Sequence, residues 1–111
     1  MTPFFGSVVV ERAKLQDYCL SDTHPRGRHK ARVFRSRLGL TAVDAEWLRG
    51  ALLDAAHDRQ DRLLPTEGDE RGQRYVLDLE LTTAAGTATV RSAWIVLSGE
   101  DVLRLTSCYV L

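Results

Sequence analysis

Eight residues past the middle of the chain, Tyr75-Val-Leu-Asp-Leu-Glu-Leu-Thr82, constrain the fold more than any other segment. Apolar Tyr75, Leu77, Leu79 and Leu81 alternate with Asp78 and Glu80. A strand alone puts every second side chain on one face, so the segment predicts a strand buried on one side and wet on the other. Such a strand needs partners. Thr87–Leu97 supplies one, with Val90, Trp94 and Val96 on a common face, and Ala84-Ala85-Gly86 is a hairpin turn between the two. Ser98-Gly-Glu-Asp101 turns the chain again, and Val102–Leu111 reads as the last strand. Leu63–Glu70 is the first of the series, weakened by Pro65, which suits an edge.

The chain ahead of these strands has helical spacing. Leu15, Tyr18 and Cys19 stand at i, i+3, i+4. Gly27–Leu38 carries Ala31, Phe34 and Leu38 as an apolar stripe, with Gly39 placed to cap its end. Thr41-Ala-Val-Asp44 resembles a capping box that opens a stronger helix running to about Asp61. Val43, Trp47, Leu48, Ala51, Leu52 and Ala55 repeat along it, which places Trp47 in the core with Trp94. Ser7–Val10 is either an opening strand or an extended lead-in. The expectation is one α+β domain over residues 1–111. Its helical part spans about 11–61 and packs on a C-terminal antiparallel four-stranded sheet over about 63–111.

Composition excludes several classes. Hydrophobic residues make up 44% and charged residues 27%, which is too apolar for a disordered tail. No run approaches the ~20 apolar residues that span a bilayer, so no membrane partner is expected. Met1–Lys14 has no basic residue ahead of its apolar stretch and does not read as a signal peptide. Cys19 and Cys108 are too few for a disulfide framework and read as small apolar fillers, consistent with a reducing, cytoplasmic compartment.

The formal net charge is zero, but the sign is unevenly spread. Residues 1–40 hold eight Lys and Arg against three acidic side chains. Residues 41–111 hold seven against twelve. Six of the basic residues fall within Arg26–Arg37, with His29 among them and His24 two positions ahead. A face of this kind suits an anionic partner, RNA above all, although solvated arginines give the same count.

The chemistry points to the same place. The three histidines form no HExxH and no Cys/His cluster with zinc spacing, so neither metal nor cofactor is expected. GxGxxG, GxxxxGK[ST] and GxSxG are absent. What remains is His24-Pro-Arg-Gly-Arg-His-Lys30, a loop entering a helix. Backbone N–H groups there favour an anion, and Arg26, Arg28 and Arg32 add guanidinium donors for phosphate. His24 is a candidate general acid or base. Its plain alternative is a turn cap. Ser107 and Tyr109 share one face of the last strand and offer hydroxyls. Their alternative is filler and a half-buried ring.

The series Lys14-Leu-x-x-Tyr18-x-Leu20, then His24-Pro-x-Gly-Arg-x-Lys30-Ala-x-x-Phe34, resembles an uncharacterised family of small bacterial domains with a K-L-x-x-Y-x-L…H-P-x-G-x-x-K-A-x-F-F signature. Gly72-Gln-Arg-Tyr75, Val90-Arg-Ser-Ala-Trp94, Gly99-Glu-Asp101 and Ser107-x-Tyr109 continue the likeness to the end of the chain. The closing strand departs from the usual Thr-x-Tyr-Pro. The family in turn looks like metal-independent ribonuclease toxins of the barnase, EndoU, colicin and RelE types. That resemblance implies an endoribonuclease, the toxin of a toxin–antitoxin or related conflict system, inhibited by a small cognate antitoxin protein. Carried over, it implicates His24, Lys30, Ser107 and Tyr109 as catalytic, with Arg26, Arg28 and Arg32 on the phosphate. The competing reading is a non-catalytic interaction module, immunity-like or regulatory, whose basic helix docks a partner while His24 and Tyr18 hold the helices together.

Overall fold

The computed structural model describes residues 6–111. Met1–Phe5, part of the segment read as lacking a leader, lie outside the described residues. β1 (Ser7–Val9) leads into a single turn, α1 (Arg12–Lys14), which continues as a π-helical turn over Leu15–Cys19. α2 (Arg28–Leu38) and α3 (Ala45–Asp58) follow. Then come β2 (Leu64–Asp69), β3 (Gly72–Thr83), β4 (Gly86–Leu97) and β5 (Val102–Val110).

The sheet differs from the expected one. It has five strands in the order β1-β5-β4-β3-β2, and it is mixed rather than wholly antiparallel. β1 pairs in parallel with β5, Ser7 opposite Val102 and Val9 opposite Arg104. Three β-branched or small residues carry no period, so the sequence left Ser7–Val10 open. The partner that fixes them as a strand lies almost the whole chain away. The other pairings are antiparallel, and β2 with its Pro65 is an edge strand.

Leu77, Leu79 and Leu81 are buried, as the alternation requires, while Asp78 and Glu80 face water. Trp94 lies in the same core. Its indole N–H donates to Ser92 Oγ at 2.8 Å, and Ser92 donates to the Leu77 carbonyl at 2.6 Å. One serine thus satisfies the polar atom of the largest core side chain.

Helical residues close the other side. Leu15, Cys19, Phe34, Leu38, Leu48, Leu52 and Ala56 are buried against the strand residues. Gly39 ends α2 in the left-handed conformation at φ 68°, where its N–H reaches the Arg35 carbonyl. The expected capping box is present, with Thr41 N–H donating to Asp44 Oδ2 at 2.9 Å. The helix it opens begins with a 3₁₀ turn over Ala42–Asp44. The buried stripe of α3 is Ala45, Leu48, Leu52, Ala55 and Ala56, and Val43 and Trp47 fall outside it, exposed rather than buried. Trp47 is therefore not a core residue.

β5 contains a bulge. Trp94 pairs with Leu105 and Ala93 with Ser107, leaving Thr106 as the extra residue. Before it, Leu103 and Leu105 face the core. After it, Cys108 and Val110 do. The bulge resets the alternation and turns Ser107 and Tyr109 away from the core. Because β1 covers β5 only as far as Arg104, this later stretch is bordered by the π-helical turn and α2 instead.

Candidate functional site

His24 is held by the turn that precedes α2. Its backbone N–H donates to Ser21 Oγ at 3.2 Å. Its ring Nδ1 accepts the backbone N–H groups of Arg26 and Gly27, both at 3.0 Å. Two donors on Nδ1 place the neutral ring's proton on Nε2. The imidazole is then a cap whose free nitrogen can donate but holds no lone pair to accept a proton. The ring also stands edge-on to Tyr18, centroids 4.8 Å apart.

Gly27 explains the rest of the His-Pro-x-Gly string. It is buried, and a Cβ there would collide with the Tyr18 carbonyl oxygen. The start of α2 thus lies directly on the π-helical turn, and this contact sets Tyr18 beside Lys30.

Lys30 is the centre of the site. Its ammonium donates to Ser107 Oγ at 3.1 Å and to Tyr18 Oη at 3.3 Å. It also lies 5.1 Å from the centroid of Tyr18 and 5.4 Å from that of Tyr109. Lys30 is half-buried, yet it forms no ion pair with any described carboxylate. A lysine used only for packing is normally paired or snorkels to water. Here two hydroxyls and two ring faces hold the charge in place without neutralising it. Lys30, His29, Val33, Tyr109 and Val110 line an open cavity of about 250 Å³.

Two further residues join this cluster. Arg91, opposite Tyr109 in the β4–β5 register, grips Asp78 through two bonds of 2.8 and 2.9 Å. These bonds hold the guanidinium more firmly charged than usual, and Tyr109 adds to the effect. Arg91 depresses the Asp78 carboxyl in return. Cys19 Sγ lies 4.0 Å from Ser107 Oγ. Its pKa falls from 9.0 to about 7: a hydrogen bond with the Cys108 thiol leads, burial opposes it, and the Cys108 N–H, Ser107 and Lys30 add to the fall.

Of the residues the sequence singled out, Lys30, Ser107 and Tyr109 come together from opposite ends of the chain. His24 stands behind Tyr18, outside the cavity. Arg26 is exposed in the turn. Arg28 and Arg32 lie on the other flank of α2, where with Arg35 they line a separate groove of about 470 Å³ facing Thr41–Val43. Sequence reasoning missed Arg91 and gave Tyr18 only a structural part. The register that opposes Arg91 to Tyr109 was legible only once the bulge was placed. Among the described residues, no three His, Cys, Asp or Glu side chains form a metal-binding group. No helix among the described residues is long and apolar enough to cross a membrane.

A family described as Domain of unknown function (DUF6883) matches residues 3–111, and the chain belongs to that family. No curated protein matches the chain at a significant level.

Proposed function

We propose that this DUF6883 domain is a metal-independent endoribonuclease centred on Lys30. The observation that carries the reading is an unneutralised, half-buried ammonium held by Ser107 and Tyr18 and flanked by Tyr109. RNA brings its own nucleophile, so a protein can cleave it by binding the phosphate and stabilising added charge. In this mechanism the ribose 2′-oxygen bonds to phosphorus and its proton leaves to solvent. Lys30 takes the negative charge that gathers on the non-bridging oxygens. The P–O5′ bond breaks as a proton reaches O5′ from the Tyr109 hydroxyl, which solvent then restores. Ser107 and Tyr18 fix the ammonium in position, and Arg91, clamped by Asp78, stands opposite Tyr109 across the β4–β5 ladder. His24 serves as a positioning residue through Tyr18 rather than as the base.

The toxin role, and the small acidic inhibitor that would cover this cation, rest on the sequence resemblance. The test of the activity needs no partner. Purified protein is incubated with RNA in EDTA beside Lys30→Ala. Wild type should yield 2′,3′-cyclic phosphate ends, and the variant should be slower by ~10²–10³-fold, the usual loss for one charge-stabilising donor. Intact RNA with wild type, or equal rates for the two proteins, would sink the proposal.

One observation favours the second reading, a non-catalytic docking module: His24 Nδ1 is wholly engaged in capping. RNA bound but uncleaved, with His24 needed only for stability, is the outcome that would select it.

A further inference from the structure

The groove on the opposite flank of α2 contains three arginines that the reaction centre does not use. Arg28, Arg32 and Arg35 stand at i, i+4 and i+7 and share one side of the helix. None makes a hydrogen bond or an ion pair with a described side chain. Among the described residues, Asp22 is the single carboxylate in the groove wall. Guanidinium groups left free in a concave wall suit the planar, bidentate recognition of phosphate.

The facing wall is different in kind. Val43 is 86% exposed and lies in the groove, and one helical turn later Trp47 is 49% exposed. Trp47 borders a neighbouring cavity of about 500 Å³ that shares Leu40 with the first. Free arginines along one side and an accessible indole beyond the other match the two needs of a single strand: charge for the backbone and a ring for a base. A duplex keeps its base faces stacked and has no use for the indole.

We infer that this groove is a single-strand RNA track in which Arg28, Arg32 and Arg35 hold backbone phosphates and Trp47 stacks a base. The choice of RNA as the polyanion rests on the ribonuclease reading. The track leads the strand over the start of α2, past Arg26, toward Lys30. It supplies affinity and direction, and the Lys30 cluster supplies the chemistry.

The test separates the two. The full chain is titrated with a short 2′-O-methyl oligouridine, which has no free 2′-hydroxyl, so absence of ribonuclease activity leaves the result intact. Trp47 fluorescence is the signal, since Trp94 is only 1% exposed and stays blind to ligand. Binding should be saturable and salt-dependent, with a log–log slope of about −2 for three phosphates at ~0.7 each. The Arg28→Ala, Arg32→Ala, Arg35→Ala triple variant should lose that slope. Trp47→Leu, followed by anisotropy of a labelled strand, should bind about tenfold more weakly with the slope kept. Asp22→Asn should tighten binding. All substituted positions but Trp47 are exposed polar sites, and Trp94 emission reports that each variant is folded. The inference is overturned if the triple variant binds as wild type does, if a duplex competes equally, or if an acidic peptide displaces the strand at lower concentration than the strand itself needs.

Discussion

The two flanks of α2 carry the same charge and use it in opposite ways. Lys30 lies about 160° around the helix from the centre of Arg28, Arg32 and Arg35, at ~100° per residue. On its flank the charge is half-buried, touched by two hydroxyls and two rings, and fixed in place. On the other flank the guanidiniums are exposed and unpaired across an open groove. A fixed charge suits a transition state, where preorganisation avoids reorganising the site at the moment of reaction. A free one suits capture, where solvated side chains adapt to a flexible strand at small cost. The difference comes from what stands opposite: strand β5 and the π-helical turn on one side, a short turn and solvent on the other.

The sharpest way to break this contrast is at Gly27. An added methyl must push the Tyr18 carbonyl away from the start of α2. Gly27→Ala should lower stability by about 3 kcal/mol, at the upper end of ordinary overpacking. Chemical denaturation measures it. The damage should be one-sided: cleavage falls because Tyr18 leaves Lys30, while the arginine groove still binds the non-cleavable strand. Equal loss of both functions would mean that the flanks are not independent.

A smaller effect is expected at His24. Removing a cap that satisfies two backbone donors should cost about 1–2 kcal/mol in His24→Ala, as for other helix-start caps. His24→Asn keeps an acceptor near the position of Nδ1 and should recover most of the stability. If His24 only positions Tyr18, Asn recovers cleavage as well. If it transfers a proton, stability returns and cleavage does not. The pair of variants thus separates positioning from catalysis, through denaturation curves and single-turnover rates.

Periodicity made the β3–β4 hairpin and the α2 core stripe legible, because Leu77, Leu79 and Leu81 or Ala31, Phe34 and Leu38 have few other uses at their spacing. The parallel partner of β5 was not legible. A three-residue strand such as Ser7–Val9 takes its identity from the neighbour it finds, not from its own pattern. Trp47 misled because it sits one residue from Leu48, beyond the edge of the stripe that Ala45, Leu48, Leu52, Ala55 and Ala56 bury. In the site, Lys30, Ser107 and Tyr109 were found through a resemblance and brought together by β5. The phase break between Leu105 and Cys108 was the one local sign that a bulge would turn Ser107 and Tyr109 outward. His24 was noticed for its chemistry, but a backbone cap leaves no trace in composition beyond the Pro and Gly that follow it.

The smallest effect is a titration confined to the Lys30 flank. Cys19 ionises near 7 rather than 9.0, mainly through its hydrogen bond with Cys108 and in lesser part through Ser107 and Lys30. A pKa depressed on folding contributes stability that is complete above the unfolded value of 9.0 and is lost as pH falls through about 7. Cys108 shifts the other way, bonded to Cys19 and buried, so its own ionisation works against the fold above 9. The gain is therefore confined to the window between about 7 and 9, where the melting temperature should rise with pH. Thiolate absorbance of the native protein should show a midpoint near 7 that Cys19→Ser abolishes. Lys30→Met should move the midpoint upward, since the ammonium favours the thiolate, whereas Arg32→Met on the far flank should leave it in place. A midpoint that ignores Lys30, or one that answers equally to Arg32, would erase the distinction between a fixed charge and a free one.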